Sequence, residues 1–304
     1  MIYTITFAPS IDYVINTNSK FNINGLNRVT DYGLFPGGKG INASVILKRI
    51  GFENKAITFL GGETKNLFLS LLKNENLQVI NIDTDNETRI NVKMFSQNNS
   101  FEINGKKPII TDNQYFQLSS FINQFNSNDI VFIMGICDEI ILEKIIKKIH
   151  NKNIKFILDI DSKKMLNYIK YQPFLIKPNL QELQSLLNQK IKNEKQLKSA
   201  LYFLKNSGCK NVLVSNGKHG SYLIDEENNL YKTEIQKINN IISTVGSGDT
   251  LISSFAVFYL QTKNAIESLF KATSLSIGTV TNKWLANKKD LNLYLDKIKV
   301  FKIN

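Results

Sequence analysis

The stretch of the chain best suited to chemistry is residues 244–250, which read TVGSGDT. Two glycines flank Ser247, and Asp249 comes just before the apolar residues 251–258, whose spacing predicts a helix. Glycines allow a sharp turn, and the N–H groups at the start of a helix bind anions. A carboxylate repels a phosphate, so Asp249 suits such a site if it is a base that takes a proton from a hydroxyl attacking that phosphate. The alternative is that Ser247 or Asp249 only caps the helix.

A second glycine-rich stretch, residues 36–42, reads PGGKGIN and opens a helix predicted at residues 40–50. Its backbone can approach a ligand closely, while Lys39 supplies positive charge and Asn42 an amide donor and acceptor. The spacing nearly matches a P-loop, but Gly40 stands where that motif needs Ser or Thr, and residues 31–34 are a poor buried strand. We therefore reject a P-loop. The alternative is a glycine-rich turn with a solvated lysine.

Alternating strand-like and helix-like segments must position these two stretches. The apolar runs typical of buried parallel strands are residues 2–7, 55–60, 130–134, 156–159, 174–177 and 212–215. The later runs are separated by helical stretches at residues 139–149, 180–187 and 194–206. This alternation predicts an α/β fold with a largely parallel sheet that binds ligands at the carboxyl ends of its strands. Residues 89–95 and 100–103 instead predict a hairpin, which pairs with residues 12–32 in a small antiparallel sheet over one edge of the domain.

Composition excludes several classes of function. The net charge is +12 over 304 residues, but the lysines are spread along the chain without a block of like charge, so we expect no nucleic-acid binding. The start of the chain lacks the features of a signal peptide, and the apolar runs are too short to cross a membrane. Cys137 and Cys209 form no CxxC pair, and the two histidines form no metal-binding cluster. These features predict a reduced, cytoplasmic protein.

Six motifs in this chain resemble those of the ribokinase-like, PfkB-type family of carbohydrate kinases. They are APSID at residues 8–12, GGKGIN at 37–42, TRINVK at 88–93, KPNLQE at 177–182, SNGKHGS at 215–221 and VGSGDT at 245–250. The resemblance covers nearly the whole chain. It implies a single kinase domain over residues 1–304, with a three-layer αβα fold and a mostly parallel central sheet. It also implies a small antiparallel β lid, formed by about residues 12–34 and 87–108.

The resemblance implies a role for each matched residue around the sugar. Asp249 would be the general base, and the residues whose backbone N–H groups would form the anion hole are Gly246, Ser247 and Gly248. The residues implied to bind the substrate are Asp12, Gly38, Lys39, Asn42 and Arg89. Of these, Lys39 and Arg89 would hold the phosphate already on the sugar. The alternative for Arg89 is an ion pair with an acid on a neighbouring strand.

The resemblance also implies a site for ATP and Mg²⁺. The residues that match the nucleotide site of the family are Lys177, Asn179, Glu182, Ser215, Gly217 and Gly220. Asn179 and Glu182 would lie near Mg²⁺ and contact it through water. The alternative is that Asn179 caps the helix that follows and Glu182 favours its dipole. A requirement for a monovalent cation stays open, as does a homodimer formed through the lid.

Within this family, residues 89–93 and 102–105 are most similar to 1-phosphofructokinases, which implies phosphorylation of fructose 1-phosphate at its 6-hydroxyl to fructose 1,6-bisphosphate. The alternatives are tagatose 6-phosphate and fructose 6-phosphate as substrates. Leu26 replaces a basic residue of some 6-phosphofructokinases and weakens the last alternative. Residues 135–138 read GICD where the family has GSLP, which removes a serine that faces the substrate. This departure keeps open a non-catalytic relative that only binds sugar phosphate.

Overall fold

The computed structural model describes residues 1–17, 22, 24–29, 31–96, 99–135, 137–160 and 164–303, and at 99–100 the backbone only. In chain order its elements are β1 (Ile2–Thr6), β2 (Ser10–Asn16), β3 (Asp31–Gly37), α1 (Lys39–Arg49), β4 (Asn54–Gly61), α2 (Gly62–Leu72), β5 (Gln78–Thr84), β6 (Arg89–Ser96), β7 (Asn99–Asn104), α3 (Asp112–Asn123), β8 (Ile130–Met134), α4 (Glu139–Asn151), β9 (Lys155–Asp159), α5 (Met165–Ile169), β10 (Leu175–Ile176), α6 (Leu180–Leu187), α7 (Glu194–Asn206), β11 (Asn211–Ser215), β12 (Ser221–Ile224), β13 (Leu230–Ile235), α8 (Ser247–Thr262), α9 (Ala265–Thr281), α10 (Asp290–Leu293) and β14 (Ile298–Ile303). None of the helices described here is long and apolar enough to span a membrane.

The large sheet has the strand order β14-β13-β12-β11-β10-β9-β8-β1-β4-β5. Pairing is parallel from β11 through β5, with Ile5 of β1 opposite Ile57 of β4 and Ile133 of β8. It is antiparallel among β11, β12, β13 and β14. The predicted mostly parallel sheet is therefore confirmed. The carboxyl ends of β1, β8 and β9 meet at one edge, where parallel sheets bind ligands.

Helices cover both faces of this sheet, which makes three layers. Along β8 the side chains alternate: Val131 and Ile133 pack into one apolar cluster, whereas Phe132 and Met134 pack into another. The first cluster includes buried residues of α3, α4 and α7, and the second includes those of α1, α8 and α9. Strands buried on both faces in this way read as continuous apolar runs, which is why the sequence revealed them.

The small sheet has the order β3-β2-β6-β7. Its two outer pairings, β2–β3 and β6–β7, are antiparallel, and the second of them is the predicted hairpin. The central pairing, β2–β6, is parallel, with Ser10 opposite Arg89. This follows from where the strands originate: β2 follows β1 and β6 follows β5, and these two strands of the large sheet run in the same direction. We predicted an antiparallel pairing between the hairpin and residues 12–32, so that prediction is wrong at this central pairing.

The segment before Lys39 differs from our expectation. We judged residues 31–34 a poor buried strand and did not predict a strand there; β3 spans Asp31–Gly37, and α1 begins at Lys39. The sequence did not predict this strand because β3 lies at the edge of the small sheet and is only partly buried, so it lacks an apolar run. Part of the predicted lid segment 12–32, the tip of the predicted hairpin at 97–98 and Ile136 lie outside the described residues.

Candidate active site

The N-terminus of α8 is formed by the first glycine-rich stretch discussed above. Gly246 precedes the helix with a φ of 79°, in the left-handed region that favours glycine. The amide of Thr250 donates to the Gly246 carbonyl at 2.9 Å and is the first to bond within the helix, so the amides of Ser247, Gly248 and Asp249 precede the helical ladder. No side chain caps this helix, and Asp249 is its third residue. The capping alternative is therefore wrong here.

Asp249 is a buried carboxylate, with 7% of the residue exposed. Its Oδ2 accepts a hydrogen bond from Nδ2 of Asn42 at 2.8 Å, which joins the starts of α1 and α8 across 207 residues of sequence. Burial raises the pKa of Asp249, and the charge of Asp159 adds to this. Lys39 and Asn42 act in the opposite direction, but the pKa stays above its ordinary value. A raised pKa makes the carboxylate a better proton acceptor.

Two lysines share the buried carboxylate of Asp159. Nζ of Lys39 lies 3.0 Å from Oδ1 of Asp159, and Nζ of Lys177 lies 3.8 Å from its Oδ2. Burial raises the pKa of Asp159, but Lys177 and Lys39 lower it by more, so the group is an anion. Burial lowers the pKa of Lys39, but Asp159 and Asp249 raise it by more, so Lys39 stays a cation. Asp159 is the last residue of β9 and ends the predicted run at residues 156–159, but the sequence did not indicate that it belongs to the site.

The predicted substrate residues line one cavity of about 370 Å³. Around its wall lie Asp12, Gly38, Lys39, Asn42 and Arg89, together with Gly246 and Asp249. The small sheet contributes Asp12 and Arg89, and the residues at the starts of α1 and α8 also line the cavity. The structure thus brings together residues that are more than 200 positions apart in sequence.

Asp12 is held by three donors on the inner face of the small sheet. Its Oδ1 accepts from Ser10 Oγ at 2.8 Å and from Asn91 Nδ2 at 2.9 Å, and its Oδ2 pairs with Lys93 Nζ at 2.7 Å. Sequence reasoning did not assign Asn91 and Lys93 to the site. They follow Arg89 at intervals of two, so on a strand all three side chains face the same side. That period would have revealed them.

Arg89 pairs with no acid in the described structure. Its guanidinium donates to three backbone carbonyls: from Nε to Pro9 at 3.3 Å, from Nη1 to Gly105 at 3.3 Å and from Nη2 to Ala8 at 3.0 Å. Burial lowers the pKa of Arg89, and the charge of Asp12 offsets part of this. Because carbonyls carry no net charge and a guanidinium has five N–H groups, Arg89 keeps charge and donors for an anion. The ion-pair alternative is wrong.

A second cavity, of about 670 Å³, lies on the other side of the α8 terminus. Three of the predicted nucleotide-binding residues, Ser215, Gly217 and Gly220, line it. Ser247 and Gly248 line it too, so the start of α8 is a wall shared by both cavities. Lys177 lies beside this wall, because a Cβ added to Gly248 would come within 3.1 Å of the Lys177 ammonium.

Asn179 pairs through a β-bridge with Ser215, a residue of the second cavity, but neither Asn179 nor Glu182 lines that cavity. They form a reciprocal cap for α6: Asn179 Oδ1 accepts from the Glu182 amide at 2.8 Å, and Glu182 Oε2 accepts from the Asn179 amide at 2.7 Å. These two side chains therefore do cap the helix, as the alternative stated. Each side-chain oxygen can still accept another hydrogen bond. Within the described residues no cluster of three His, Cys, Asp or Glu side chains could hold a metal ion.

Of residues 135–138, Gly135 matches the family pattern, Cys137 and Asp138 depart from it, and Ile136, which stands in place of the serine, lies outside the described residues. Gly135, with a φ of 79°, lines the sugar cavity. Asp138 caps α4, since its Oδ1 accepts from the amides of Ile140 at 2.9 Å and Ile141 at 3.2 Å. Burial raises the pKa of the Cys137 thiol to about 12, so this cysteine is not a thiolate nucleophile at neutral pH.

Comparison with known proteins agrees with this geometry. Residues 5–289 match the model of the pfkB family of carbohydrate kinases. A 1-phosphofructokinase of Borreliella burgdorferi is 33% identical over 284 residues, covering 92% of this chain and 91% of the relative. A D-tagatose-1-phosphate kinase of Bacillus licheniformis is 29% identical over 306 residues and 99% of each chain. The structure of phosphofructokinase-2 from Escherichia coli in complex with substrates and products has a TM-score of 0.89 at 26% identity, over 97% of this chain and 98% of that chain.

Proposed function

The chain belongs to the PfkB family of carbohydrate kinases, and we propose that it transfers the γ-phosphoryl group of ATP to the 6-hydroxyl of fructose 1-phosphate. The observation that carries the proposal is the shared wall at the start of α8. Asp249 and Gly246 face the cavity that contains Arg89, whereas Ser247 and Gly248 face the second cavity. Phosphoryl transfer needs the attacking oxygen, the phosphorus and the leaving oxygen in line. Two cavities that meet at one helix terminus suit that requirement.

In this mechanism Asp249 takes the proton from the 6-hydroxyl. The hydroxyl oxygen forms a bond to the γ-phosphorus as the bond from that phosphorus to the β–γ bridging oxygen breaks. ADP leaves with the electron pair, and the sugar becomes fructose 1,6-bisphosphate. The raised pKa of Asp249 and its hydrogen bond from Asn42 support this role, because they give a proton acceptor of fixed orientation.

The transferred group passes between backbone amides and a lysine. We propose that the amides of Gly246, Ser247 and Gly248 stabilise its negative charge, as oriented donors at a helix terminus do. Lys39 was implied to hold the phosphate already on the sugar. Its ion pair with Asp159, which also pairs with Lys177 beside the second cavity, favours a position next to the transferred group instead. Arg89 then holds the phosphate of the sugar.

ATP is the phosphoryl donor expected of this kinase family, and the second cavity suits it. We propose that Ser215, Gly217, Gly220 and Lys177 bind the nucleotide. Mg²⁺ is held in kinases by one or two carboxylates, by waters and by the phosphates themselves, so a site with few protein ligands fits it. Asn179 and Glu182 would hold it through water. When bound, Mg²⁺ neutralises charge that develops on the phosphates.

Tagatose 1-phosphate is a second candidate substrate, because one relative is named D-tagatose-1-phosphate kinase. Tagatose differs from fructose only in the configuration at C4, and both 1-phosphates present the same phosphate and the same 6-hydroxyl. This alternative leaves the roles of Asp249 and Arg89 unchanged. We therefore consider tagatose 1-phosphate, rather than tagatose 6-phosphate or fructose 6-phosphate, the main alternative to fructose 1-phosphate as the substrate.

The proposed reaction is tested by identifying its product. The purified protein is incubated with ATP, Mg²⁺ and fructose 1-phosphate, and the sugar is examined by ³¹P nuclear magnetic resonance and mass spectrometry. We expect a bisphosphate with phosphate groups at C1 and C6, formed in equal amounts with ADP. ADP without a sugar bisphosphate, or a phosphate on another hydroxyl, would contradict the proposal.

We also propose that a second copy of the chain packs on the outer face of the small sheet. On β6 and β7 the side chains that alternate with the inward-facing Arg89, Asn91 and Lys93 are apolar. The exposed members of this face are Tyr32 at 64%, Ile90 at 45%, Phe101 at 40% and Ile103 at 66%. Contiguous apolar surface of this kind marks an interaction site. Such a face matches a second copy of itself across a two-fold axis.

A further inference from the structure

The sugar cavity contains more positive charge than its carboxylates neutralise. Four cationic side chains line it: Lys39, Arg89, Lys93 and Lys107. Lys39 pairs with Asp159 at 3.0 Å and Lys93 with Asp12 at 2.7 Å. Arg89 rests on uncharged carbonyls, and Lys107 takes part in none of the ion pairs found among the described residues. Arg89 and Lys107 are therefore the two cations left for a ligand.

The chain holds Lys107 close to Arg89 through Gly105. The Gly105 amide donates to Asn91 Oδ1 at 3.1 Å, and its carbonyl accepts from Arg89 Nη1 at 3.3 Å. A Cβ at Gly105 would lie 2.7 Å from the Ile90 carbonyl oxygen and 2.9 Å from Arg89 Cβ, so only glycine allows this approach. Both bonds pin the end of β7 to the site. Pro108 then restricts the backbone of Lys107 to extended conformations.

Lys106 and Lys107 differ in the cavities that they reach. Lys107 lines both the sugar cavity and an adjoining outer cavity of about 310 Å³, whereas Lys106 lines only the outer one. Glu87 also lines the outer cavity, but its carboxylate accepts from the amides of Glu63 at 3.1 Å and Thr64 at 3.0 Å. Its negative charge is thus directed to the start of α2 rather than to Lys107.

We propose that Lys107, together with Arg89, binds the phosphate already present on the sugar and so selects phosphorylated over free sugars. A phosphate monoester carries a charge of about −1.5 to −2 at pH 7, which two cations match. Arg89 provides directed hydrogen bonds, whereas the flexible ammonium of Lys107 provides charge at the mouth of the cavity. This inference rests on the proposed function, because it names a residue that recognises the substrate of the same site.

The test compares Lys107→Met with the matched control Lys106→Met, which removes the neighbouring charge from a residue of the same type. Steady-state kinetics are measured with fructose 1-phosphate and ATP, and calorimetry measures binding of fructose 1-phosphate without ATP. For Lys107→Met we expect KM and Kd for fructose 1-phosphate to rise about tenfold, with kcat and the KM for ATP nearly unchanged. For Lys106→Met we expect changes of less than about twofold. Lys107→Arg should recover most of the binding, since it restores the charge.

The outcomes separate this inference from the proposed function. If the wild type turns over fructose 1-phosphate but Lys107→Met and Lys106→Met behave alike, the role of Lys107 is overturned and the reaction stands. If the wild type binds fructose 1-phosphate without turnover and Lys107→Met binds it about tenfold more weakly, the reaction is overturned and the role of Lys107 stands. If the wild type binds fructose 1-phosphate no better than fructose, both are overturned.

Discussion

Asp249 combines burial with a charge that the proposed reaction needs. Its pKa is raised, so ionisation of this carboxyl costs more in the folded than in the unfolded chain, and stability falls as the pH rises from the ordinary 3.8 through the raised pKa. Asn42 and Lys39 lessen this cost without removing it. A carboxylate in this state is a better base than one in water, and active sites characteristically accept lower stability in exchange for such a group.

Asp249→Asn is expected to separate activity from stability. The amide cannot accept the proton, so kcat should fall by about two orders of magnitude or more, while fructose 1-phosphate still binds. The neutral side chain also removes a buried charge, so Tm at pH 8 should equal or exceed that of the wild type. Kinetics, calorimetry and thermal unfolding check these expectations.

The pH dependence provides a control for that substitution. Because the pKa of Asp249 lies above the ordinary 3.8, wild-type kcat should decline on the acid side around a pKa above that value. The Tm advantage of Asp249→Asn should shrink as the pH falls through the same range, where the wild-type carboxyl is protonated. Two results for Asp249→Asn would contradict the assigned role. One is a kcat close to the wild-type value. The other is a Tm at pH 8 clearly below that of the wild type, as expected when a buried salt bridge is lost.

The sequence predicted site residues whose type and motif indicate chemistry, and missed residues whose role depends on a contact with a distant segment, even where they lie within a motif. Asp249 and Asn42 were recognised from glycine-rich stretches that each precede a helix. Lys93 and Asp159 were missed as site residues, because their partners Asp12 and Lys39 are 81 and 120 positions away. Periodicity reveals which residues share a face of one strand, but only the folded sheet reveals which other segment meets that face.

The α8 terminus depends on one backbone conformation. Gly246 has a φ of 79°, and a Cβ there would lie 2.7 Å from Cδ2 of Leu285. Any other residue at this position therefore meets both backbone strain and a side-chain contact. Both effects would shift the amides that precede the helix, so the turn controls the geometry of the anion site.

Gly246→Ala is expected to lower the free energy of unfolding by about 2 kcal/mol or more and to reduce kcat about tenfold or more. Gly51→Ala is the matched control. Gly51 has a φ of 97° just beyond α1, and a Cβ there would meet nothing within 4 Å. It should lose only about 1 kcal/mol from backbone strain and keep full activity. Chemical denaturation and kinetics compare the two variants, and equal effects on both would argue against a special role for the α8 turn.

The accuracy of the predicted elements follows the strength of their local signals. The helices α6 and α7 have the predicted bounds, because Asn179 and Asn193 cap them and are visible in the sequence as helix starts. The strands β12, β13 and β14 were not predicted. They pair antiparallel at one end of the large sheet, and the exposed positions of β13 and β14 break up the apolar runs that marked the buried strands.

At the scale of the whole molecule, the small sheet has two faces with opposite chemistry. The inner face carries Asp12, Arg89 and Lys93 toward the sugar cavity, whereas the outer face is apolar. If a second copy covers the outer face, the assembly also supports the sheet that carries the substrate residues. Dissociation of the dimer should therefore lower the affinity for the sugar more than it lowers the stability of the domain built on the large sheet.

Ile103→Lys tests this arrangement. Ile103 is 66% exposed on the outer face, and a charge there should convert a dimer into a monomer in light scattering coupled to gel filtration. Phe116→Lys is the matched control, because Phe116 is equally exposed, at 66%, on α3 outside the small sheet. It should leave the mass unchanged. A wild-type protein that elutes as a monomer at micromolar concentration would contradict the proposed dimer.

The central claim is that this kinase acts on the 6-hydroxyl of a sugar whose 1-phosphate is held by Arg89. The most direct test measures kcat/KM by ADP release for fructose 1-phosphate, tagatose 1-phosphate, fructose 6-phosphate and tagatose 6-phosphate in parallel. We expect fructose 1-phosphate to exceed both 6-phosphates by about a hundredfold or more, since a misplaced phosphate loses its charged hydrogen bonds. A preference for either 6-phosphate would contradict the assignment of the substrate. No turnover with any of the four by the folded protein would contradict the account of the site as a catalytic one.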